Sequence, residues 1–193
     1  MKICVFCSSS NAVAESYFAM ATELGQIIQK NGHALVYGGA NVGLMEQVAS
    51  TVKTNGGEVI GIIPQKIHDR ALSSDHPDEL IITSTMAERK MLMHEKSDAF
   101  IALPGGFGTL EEILEVITLK QLDYHQKPIV FINTNGFFDH IFNQFEHSYS
   151  EGFAKENYRK LYQIVASPNE AIDYIQTYKH EVLGTKWFTV PEK

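Results

Sequence analysis

Short, continuous apolar runs alternate with longer amphipathic stretches along most of the 193-residue chain. Continuous apolar runs are typical of strands buried on both faces of a sheet, whereas half-exposed strands alternate apolar and polar residues. The stretches between the runs are long enough to form helices that connect parallel strands. The sequence therefore predicts a single doubly wound, Rossmann-like α/β domain, with a mainly parallel sheet flanked by helices.

The predicted elements follow one another without a repeat, a low-complexity stretch or a linker. Strands are predicted over residues 2–7, 33–37, 58–63, 80–83, 98–103 and 128–132, and a short apolar segment lies near 161–166. Helices are predicted over residues 14–30, 42–54, 86–97, 109–123, 138–149 and 168–178. The polar loop predicted over 64–79 is long enough to be functional. We assign residues 1–179 to the domain and residues 180–193 to a C-terminal tail that contains the only tryptophan, Trp187.

Charge and hydropathy exclude several classes of protein. The chain has 23 acidic and 16 basic residues, a net charge of −7, which argues against a general nucleic-acid-binding protein. No apolar run reaches the ~18 residues that a membrane span needs, and the first residues lack the layout of a signal peptide. We expect a cytoplasmic protein that binds neither nucleic acid nor membrane.

Two cysteines, Cys4 and Cys7, have the C-x-x-C spacing of redox and metal sites. They lie inside the first predicted strand, whereas a redox pair normally opens a helix and a zinc site needs a second pair of ligands. We therefore interpret them as small buried thiols. The eight histidines show no metal-ligand spacing, and the G-x-S-x-G motif of serine hydrolases is missing. The sequence implies no metal and no organic cofactor.

Glycines and small polar residues follow three of the predicted strands. Residues 8–10 (SSS) follow the first strand, residues 38–43 (GGANVG) the second, and residues 104–109 (PGGFGT) the fifth. Because ligands of open α/β sheets bind beyond the carboxyl ends of the strands, these loops predict a binding site at that edge. The third loop precedes a helix whose free N–H groups would suit a phosphate, although a tight strand-to-helix turn remains an alternative. It is neither a Walker loop nor a dinucleotide fingerprint, because Glu111 stands where the third glycine would be.

Two acidic residues, Glu111 and Glu112, follow this loop. The spacing of Thr109 and Glu112 fits a capping box, and that structural role is the favoured interpretation of the pattern alone. Carboxylates this close would repel a phosphate. The alternative is that the phosphate contacts loop amides while a carboxylate faces hydroxyl groups or water farther along the ligand. This layout predicts a ligand with an anionic end and a hydroxylated middle, such as a nucleotide.

A basic pair, Arg89 and Lys90, lies on the helix predicted before the fifth strand. Arginine forms bidentate contacts with oxyanions, so Arg89 is a candidate ligand for a phosphate or for developing negative charge. The pattern alone favours a solvated helix face, with Arg89 paired to Glu88 or Glu95.

Residues 104–112 (PGGFGTLEE) match the P-G-G-x-G-T-x-x-E motif of the LOG (Lonely Guy) family, and residues 86–90 (MAERK) resemble its M-x-x-R-K segment. Further similar segments are CVFCSSS at 4–10, YGG at 37–39, VGLM at 42–45, GIIP at 61–64 and QKP at 126–128. LOG proteins are cytokinin riboside 5′-monophosphate phosphoribohydrolases, many once mislabelled lysine decarboxylases. The resemblance covers essentially the whole chain. It implies hydrolysis of the N-glycosidic bond in AMP or in cytokinin nucleotides, giving free base and ribose 5-phosphate.

The resemblance also implies roles for individual residues. Glu112 would stabilise an oxocarbenium-like ribose and orient or deprotonate water, and Arg89 would fix the substrate or help the departing base carry negative charge. Residues 106–109 would hold the 5′-phosphate or ribose. Thr118 falls at a substrate-contacting position of the family. The predicted substrate-binding residues are Ser8, Gly38, Gly39, Gly43, Met45, Lys90, Gly105, Gly106, Phe107, Gly108, Thr109, Leu110, Glu111 and Thr118.

Three points remain open from the sequence. Ala71 stands where family members often carry a carboxylate, so a preference for adenine or N6-prenyladenine cannot be read. The broad apolar arc of the helix predicted over 109–123 fits either a two-sided core position or a subunit interface. The family forms dimers through a similar helix, so the resemblance implies a homodimer. A non-catalytic nucleotide sensor or carrier is the alternative function, whereas a lysine decarboxylase would need a pyridoxal phosphate lysine that the sequence does not offer.

Overall fold

Residues 1–184 are described in the computed structural model, and they form a seven-stranded sheet in which neighbouring strands are parallel. The strands are β1 (Lys2–Phe6), β2 (Ala34–Tyr37), β3 (Val59–Pro64), β4 (Glu79–Thr83), β5 (Ala99–Ala102), β6 (Ile129–Ile132) and β7 (Gln163–Val165). The helices are α1 (Glu15–Lys30), α2 (Gly43–Thr54), α3 (Gln65–His68), α4 (Met86–Glu95), α5 (Phe107–Gln121), α6 (Asp139–Ser150) and α7 (Pro168–Thr177). The predicted doubly wound α/β fold is confirmed.

Each face of the sheet packs against its own layer of helices, because successive strand residues point in opposite directions. In β1, Ile3 and Val5 belong to the core formed with α1, α2 and α7. Cys4 and Phe6 belong to the core formed with α4, α5 and α6. All four side chains are at most 2% exposed. Burial on both faces is the physical reason for the continuous apolar runs in the sequence.

The order of strands across the sheet is β4-β3-β2-β1-β5-β6-β7. The chain builds outward from β1 to β4 and then returns to the other side of β1 to start the second half. Strand order therefore reverses between β1 and β5, which are hydrogen-bonded to each other. In sheets of this type the crevice for ligands lies beyond the carboxyl ends of the strands at this reversal.

The structure differs from the predicted elements in a few places. The segment predicted as a polar loop over 64–79 starts within β3 and includes the short helix α3. The apolar segment near 161–166 contains the edge strand β7. Helix α5 begins at Phe107, two residues before the predicted start. Residues 185–193 of the predicted tail, which include Trp187, lie outside the described residues. Within 1–184, no helix is long and apolar enough to cross a bilayer.

Candidate active site

The three predicted loops meet at the carboxyl edge of the sheet. The Ser8 amide donates to the carbonyl of Pro104 at 3.2 Å, which joins the loops after β1 and β5. The Leu44 amide donates to the carbonyl of Ser8 at 2.9 Å, and the Gly43 amide donates to Oδ1 of Asn11 at 2.8 Å. The loop after β2 is thus fixed to the loop after β1. The edge predicted to bind ligand is therefore one connected surface.

Gly43 shows why this junction needs a glycine. Its φ is +62°, a conformation that L side chains rarely adopt, and a Cβ built there would lie 2.5 Å from the Ser8 carbonyl oxygen. A side chain would push the first turn of α2 away from the loop after β1. Gly106 and Gly108 differ, because a Cβ at either position would meet no atom within 4 Å. These two glycines leave the surface at the start of α5 open.

Arg89 extends from α4 into the interior below this edge and is only 9% exposed. Its Nε donates to the carbonyl oxygen of Ile62 at 3.2 Å, and its Nη1 donates to Oε1 of Glu112 at 2.7 Å. A Cβ at Gly38 would lie 2.3 Å from Nη2 of Arg89, so the glycine makes room for the guanidinium. The expected solvated face for Arg89 is therefore wrong. Its partner is a distant acid across the site, because α4 packs this residue inward.

Glu112 is 7% exposed and does not cap its helix. The capping-box interpretation of Thr109 and Glu112 is wrong, because α5 starts at Phe107 with Gly106 as its N-cap and has no side-chain cap bond. Glu112 thus lies in the second turn, where its carboxylate faces Arg89. Burial raises the pKa of Glu112 above its ordinary value, while the adjacent Arg89 opposes that rise. The site contains a buried acid held beside its counter-ion.

Lys90 forms a second link between α4 and α5. Its ammonium ion pairs with Glu111 and lies 3.2 Å from Oε2 of Glu115. Burial alone would lower the pKa of Lys90, but hydrogen bonds to the two carboxylates raise it overall. Sequence reasoning missed Glu115. The available signal was its spacing of four residues from Glu111, which places both on one helix face.

The other predicted residues fall into two groups. Ser8, Met45 and Thr109 lie at the shared edge; Thr109 is 3% exposed, and a Cβ at Gly105 would lie 2.1 Å from its Oγ1. Phe107 is 93% exposed beside the open glycines. Thr118 is not brought to the edge, since it lies six residues after Glu112, about 9 Å farther along the helix axis.

The segment between α3 and β4 packs beside the site. The Ser74 amide donates to the carbonyl of Gly39 at 3.0 Å, and an isolated antiparallel bridge joins Ala40 to Ser73. Ala71 has a φ of +57° and its carbonyl accepts a 3.4 Å bond from Nδ2 of Asn41. Ala71 therefore contacts the loop after β2.

The interpretation of the cysteines as buried thiols is confirmed. Cys4 and Cys7 are free, and they are 0% and 7% exposed. Burial raises the pKa of both thiols, and the nearby charge of Glu112 raises it further. Within the part of the chain that the structure describes, no group of three or more His, Cys, Asp or Glu residues could hold a metal ion.

Comparison with known proteins decides the family. The sequence profile of a family described as "possible lysine decarboxylase" matches residues 45–175. Cytokinin riboside 5′-monophosphate phosphoribohydrolase LOG5 of Arabidopsis thaliana is 39% identical over 92% of this chain and 78% of its own length. The rice (Oryza sativa subsp. japonica) enzyme of the same description, LOG, is 40% identical over 96% of this chain and 77% of its own length. The chain belongs to the LOG family.

Solved structures with a similar fold include proteins that are described differently from the LOG enzymes. The molybdenum cofactor binding protein of Rippkaea orientalis superposes with a TM-score of 0.71 at 28% identity, covering 91% of this chain and 95% of that chain. The Moco carrier protein of Chlamydomonas reinhardtii gives 0.69 at 25% identity, with 91% and 94% covered. One sheet architecture therefore serves proteins described as enzymes and as carriers, so function must be argued from the site.

Proposed function

We propose that the chain hydrolyses the N-glycosidic bond of nucleoside 5′-monophosphates, releasing the free base and ribose 5-phosphate. The observation that carries the proposal is the buried Arg89–Glu112 pair, 2.7 Å apart, at the same sheet edge as the glycine-rich loop 104–109. Curated relatives that are 39–40% identical are named for this reaction on cytokinin riboside 5′-monophosphates.

The 5′-phosphate binds at the start of α5. Backbone N–H groups at the N-terminus of a helix have no partner within the helix, and the helix dipole favours an anion there. Gly106 and Gly108 leave space for close approach of the phosphate, and Phe107 offers an exposed ring beside it. This arrangement fixes one end of the nucleotide and directs its ribose toward the buried pair.

Glu112 stabilises the ribose as the bond to the base breaks. Glycosidic cleavage passes through an oxocarbenium-like state, which a nearby carboxylate stabilises. Oε1 of Glu112 accepts a hydrogen bond from Arg89. We assign Oε2 as the atom that contacts the water attacking the anomeric carbon. The base leaves with the electrons of the C–N bond, and Glu112 accepts one proton of the attacking water. The departing base takes up one proton from solvent, and Glu112 returns its own proton to solvent. Arg89 orients the acid and favours its ionised form.

The direct test is incubation of the purified chain with AMP and with N6-prenylated AMP. We expect free base and ribose 5-phosphate in equal amounts, measured by chromatography and by a coupled sugar-phosphate assay. Binding of either nucleotide without release of base at any enzyme concentration would contradict the proposal and favour a carrier or sensor. The ratio of kcat/KM for the two substrates reveals the base preference. Two rates measured at a single substrate concentration would not, because each rate then depends on both binding and turnover.

We further propose that the chain forms a homodimer through the outer faces of α4 and α5. Met91 is 51% exposed and Tyr124, just after α5, is 76% exposed, so apolar surface is open on this side. Thr118 matches a position that contacts substrate in the family resemblance. It is exposed on α5 and lies too far along this helix to reach Glu112 of the same chain. Light scattering should give twice the 21.6 kDa chain mass, and a single 21.6 kDa species would contradict the proposal.

A cytoplasmic location is proposed as well. Two free, buried cysteines fit a reducing compartment, where thiols persist without pairing. Fractionation of cells that express the full chain tests this location, and recovery in a membrane or secreted fraction would contradict it.

A further inference from the structure

Helix α5 carries three carboxylates within the first nine residues after the loop that would bind phosphate. They belong to Glu111, Glu112 and Glu115. Negative charge this close to an anion site opposes binding, and Arg89 compensates only Glu112. Glu111 lies three residues after Gly108, about 4.5 Å along the helix axis, and is the nearer of the other two acids. Something must offset the charge of Glu111 if the loop is to bind a phosphate well.

Lys90 is placed to do so. Its ammonium ion pairs with Glu111 and, at 3.2 Å, with Glu115, and its side chain is only 17% exposed. The other basic group near these acids is His94, whose Nε2 lies 3.6 Å from Oε2 of Glu115. Burial lowers the pKa of His94, so this ring is neutral at pH 7. Among residues 1–184, Lys90 is the one cation within ion-pair distance of Glu111.

We propose that Lys90 is a positioning residue that neutralises Glu111 and holds its carboxylate away from the phosphate, instead of contacting the phosphate itself. The identity of the ligand rests on the proposed function. Removing Lys90 leaves the Glu111 carboxylate uncompensated near a doubly charged phosphate. For a separation of roughly 8 Å in water, Coulomb repulsion corresponds to about a fivefold loss of affinity at low ionic strength.

The experiment measures binding of two probes that need no turnover. Ribose 5-phosphate carries the phosphate without a base, and adenosine carries base and ribose without a phosphate. Calorimetry at about 20 mM salt should show that Lys90→Met lowers the affinity for ribose 5-phosphate about fivefold. The affinity for adenosine should be unchanged. At about 0.3 M salt the difference should fall below twofold, because exposed charges are screened.

A second substitution should restore the affinity. Lys90→Met/Glu111→Gln removes the uncompensated carboxylate and should recover most of the lost affinity for ribose 5-phosphate. Lys90→Met/Glu115→Gln should recover less, because Glu115 lies one helical turn farther from the loop. Lys90→Arg keeps the charge and should stay within twofold of the wild type. Lys96→Met is the matched control. It also removes one positive charge, at the residue that follows α4, and it breaks an exposed ion pair with Glu79 that lies far from the loop.

Three results would overturn the inference. One is an equal loss of adenosine and ribose 5-phosphate affinity in Lys90→Met, which would indicate distortion of the whole site. Another is failure of Glu111→Gln to restore binding, which would indicate direct contact between Lys90 and the phosphate. The third is a wild-type chain that does not bind ribose 5-phosphate. Absence of base release from AMP refutes the proposed function instead, and it leaves the binding comparison intact. If Lys90→Met unfolds, Lys90→Gln, which also removes the charge, replaces it in the same comparison.

Discussion

Helix α5 carries a buried acid near one end and a buried base near the other, and the two charges are compensated differently. Glu112 faces the guanidinium of Arg89 at 2.7 Å. Lys120, which is 6% exposed, donates to the carbonyl oxygen of Leu161 at 2.9 Å and lies 4.6 Å from the centre of the Tyr178 ring. No carboxylate of the described residues forms an ion pair with it. Burial lowers the pKa of Lys120 to about 8.

The comparison separates an acid held beside a counter-ion from a base held by neutral groups. Arg89 favours the ionised form of Glu112 and opposes the effect of burial on its pKa. A carbonyl group attaches Lys120 to the segment before β7, and the ring of Tyr178 attaches it to the residue after α7. Both contacts lie beside a cavity of about 900 Å³ at the opposite end of the helix. Both arrangements satisfy a buried polar group, but only the first supplies an acid and a cation that face each other.

The largest effect is expected from Glu112→Gln. The amide keeps the shape of the side chain but cannot accept a proton from water, so turnover of AMP should fall by about 10³. Binding of ribose 5-phosphate should change by less than about threefold, since one carboxylate is lost near the anion. Release of base under saturating AMP measures the first quantity. Unchanged turnover would show that Glu112 has no part in the chemistry.

Arg89→Met should produce the next largest effect, on stability. It leaves the buried Glu112 carboxylate without its partner, and breaking one side of a buried pair costs about 3 kcal/mol. Urea unfolding followed by circular dichroism measures the free energy. The double variant Arg89→Met/Glu112→Gln should recover more than half of the loss. If both variants are equally destabilised, the cost comes from lost packing and hydrogen bonding of Arg89 and not from an unpaired charge.

Lys120→Met should have the smallest effect, and only as a function of pH. The pKa of Lys120 is about 8 in the folded chain and 10.5 in its ordinary state, so between these values the unfolded chain binds the proton more strongly. The free energy of unfolding of the wild type should therefore rise with pH across this window relative to the variant. The expected rise is about 1–2 kcal/mol after allowance for residual solvent. A flat difference between pH 8 and 10.5 would show that Lys120 is not held in a desolvated position.

The spacing of a hydroxyl residue and a glutamate three positions later forms a cap at two other helices. Thr85 caps α4 by accepting from the amide of Glu88, and Ser167 caps α7 by accepting from the amide of Glu170. Thr109 and Glu112 have the same spacing but form no cap. The pattern is local, and it cannot show that a guanidinium from another helix lies within reach of one of its acids.

The fold was more predictable than the site for a related reason. Burial on both faces leaves a continuous apolar signature in every central strand, so strand positions can be read without knowing their neighbours. The Lys90 bridge to Glu111 and Glu115 depends on how α4 packs against α5, a relation that neither helix encodes by itself. The glycine-rich loop was accessible because its small residues lie next to each other in the chain. The Arg89–Glu112 contact, 23 residues apart, required either the fold or the family resemblance.

The bond from Arg89 Nε to the carbonyl oxygen of Ile62 has a consequence for how the site responds to its ligand. Fixing a long, flexible side chain takes up to about 2 kcal/mol of rotamer freedom, and here that loss occurs during folding, before any nucleotide arrives. Because the acceptor is main chain, it does not depend on which amino acid occupies position 62. The orientation of the guanidinium is thus set by the position of the backbone, and the side chain at position 62 of β3 can be substituted without removing this bond.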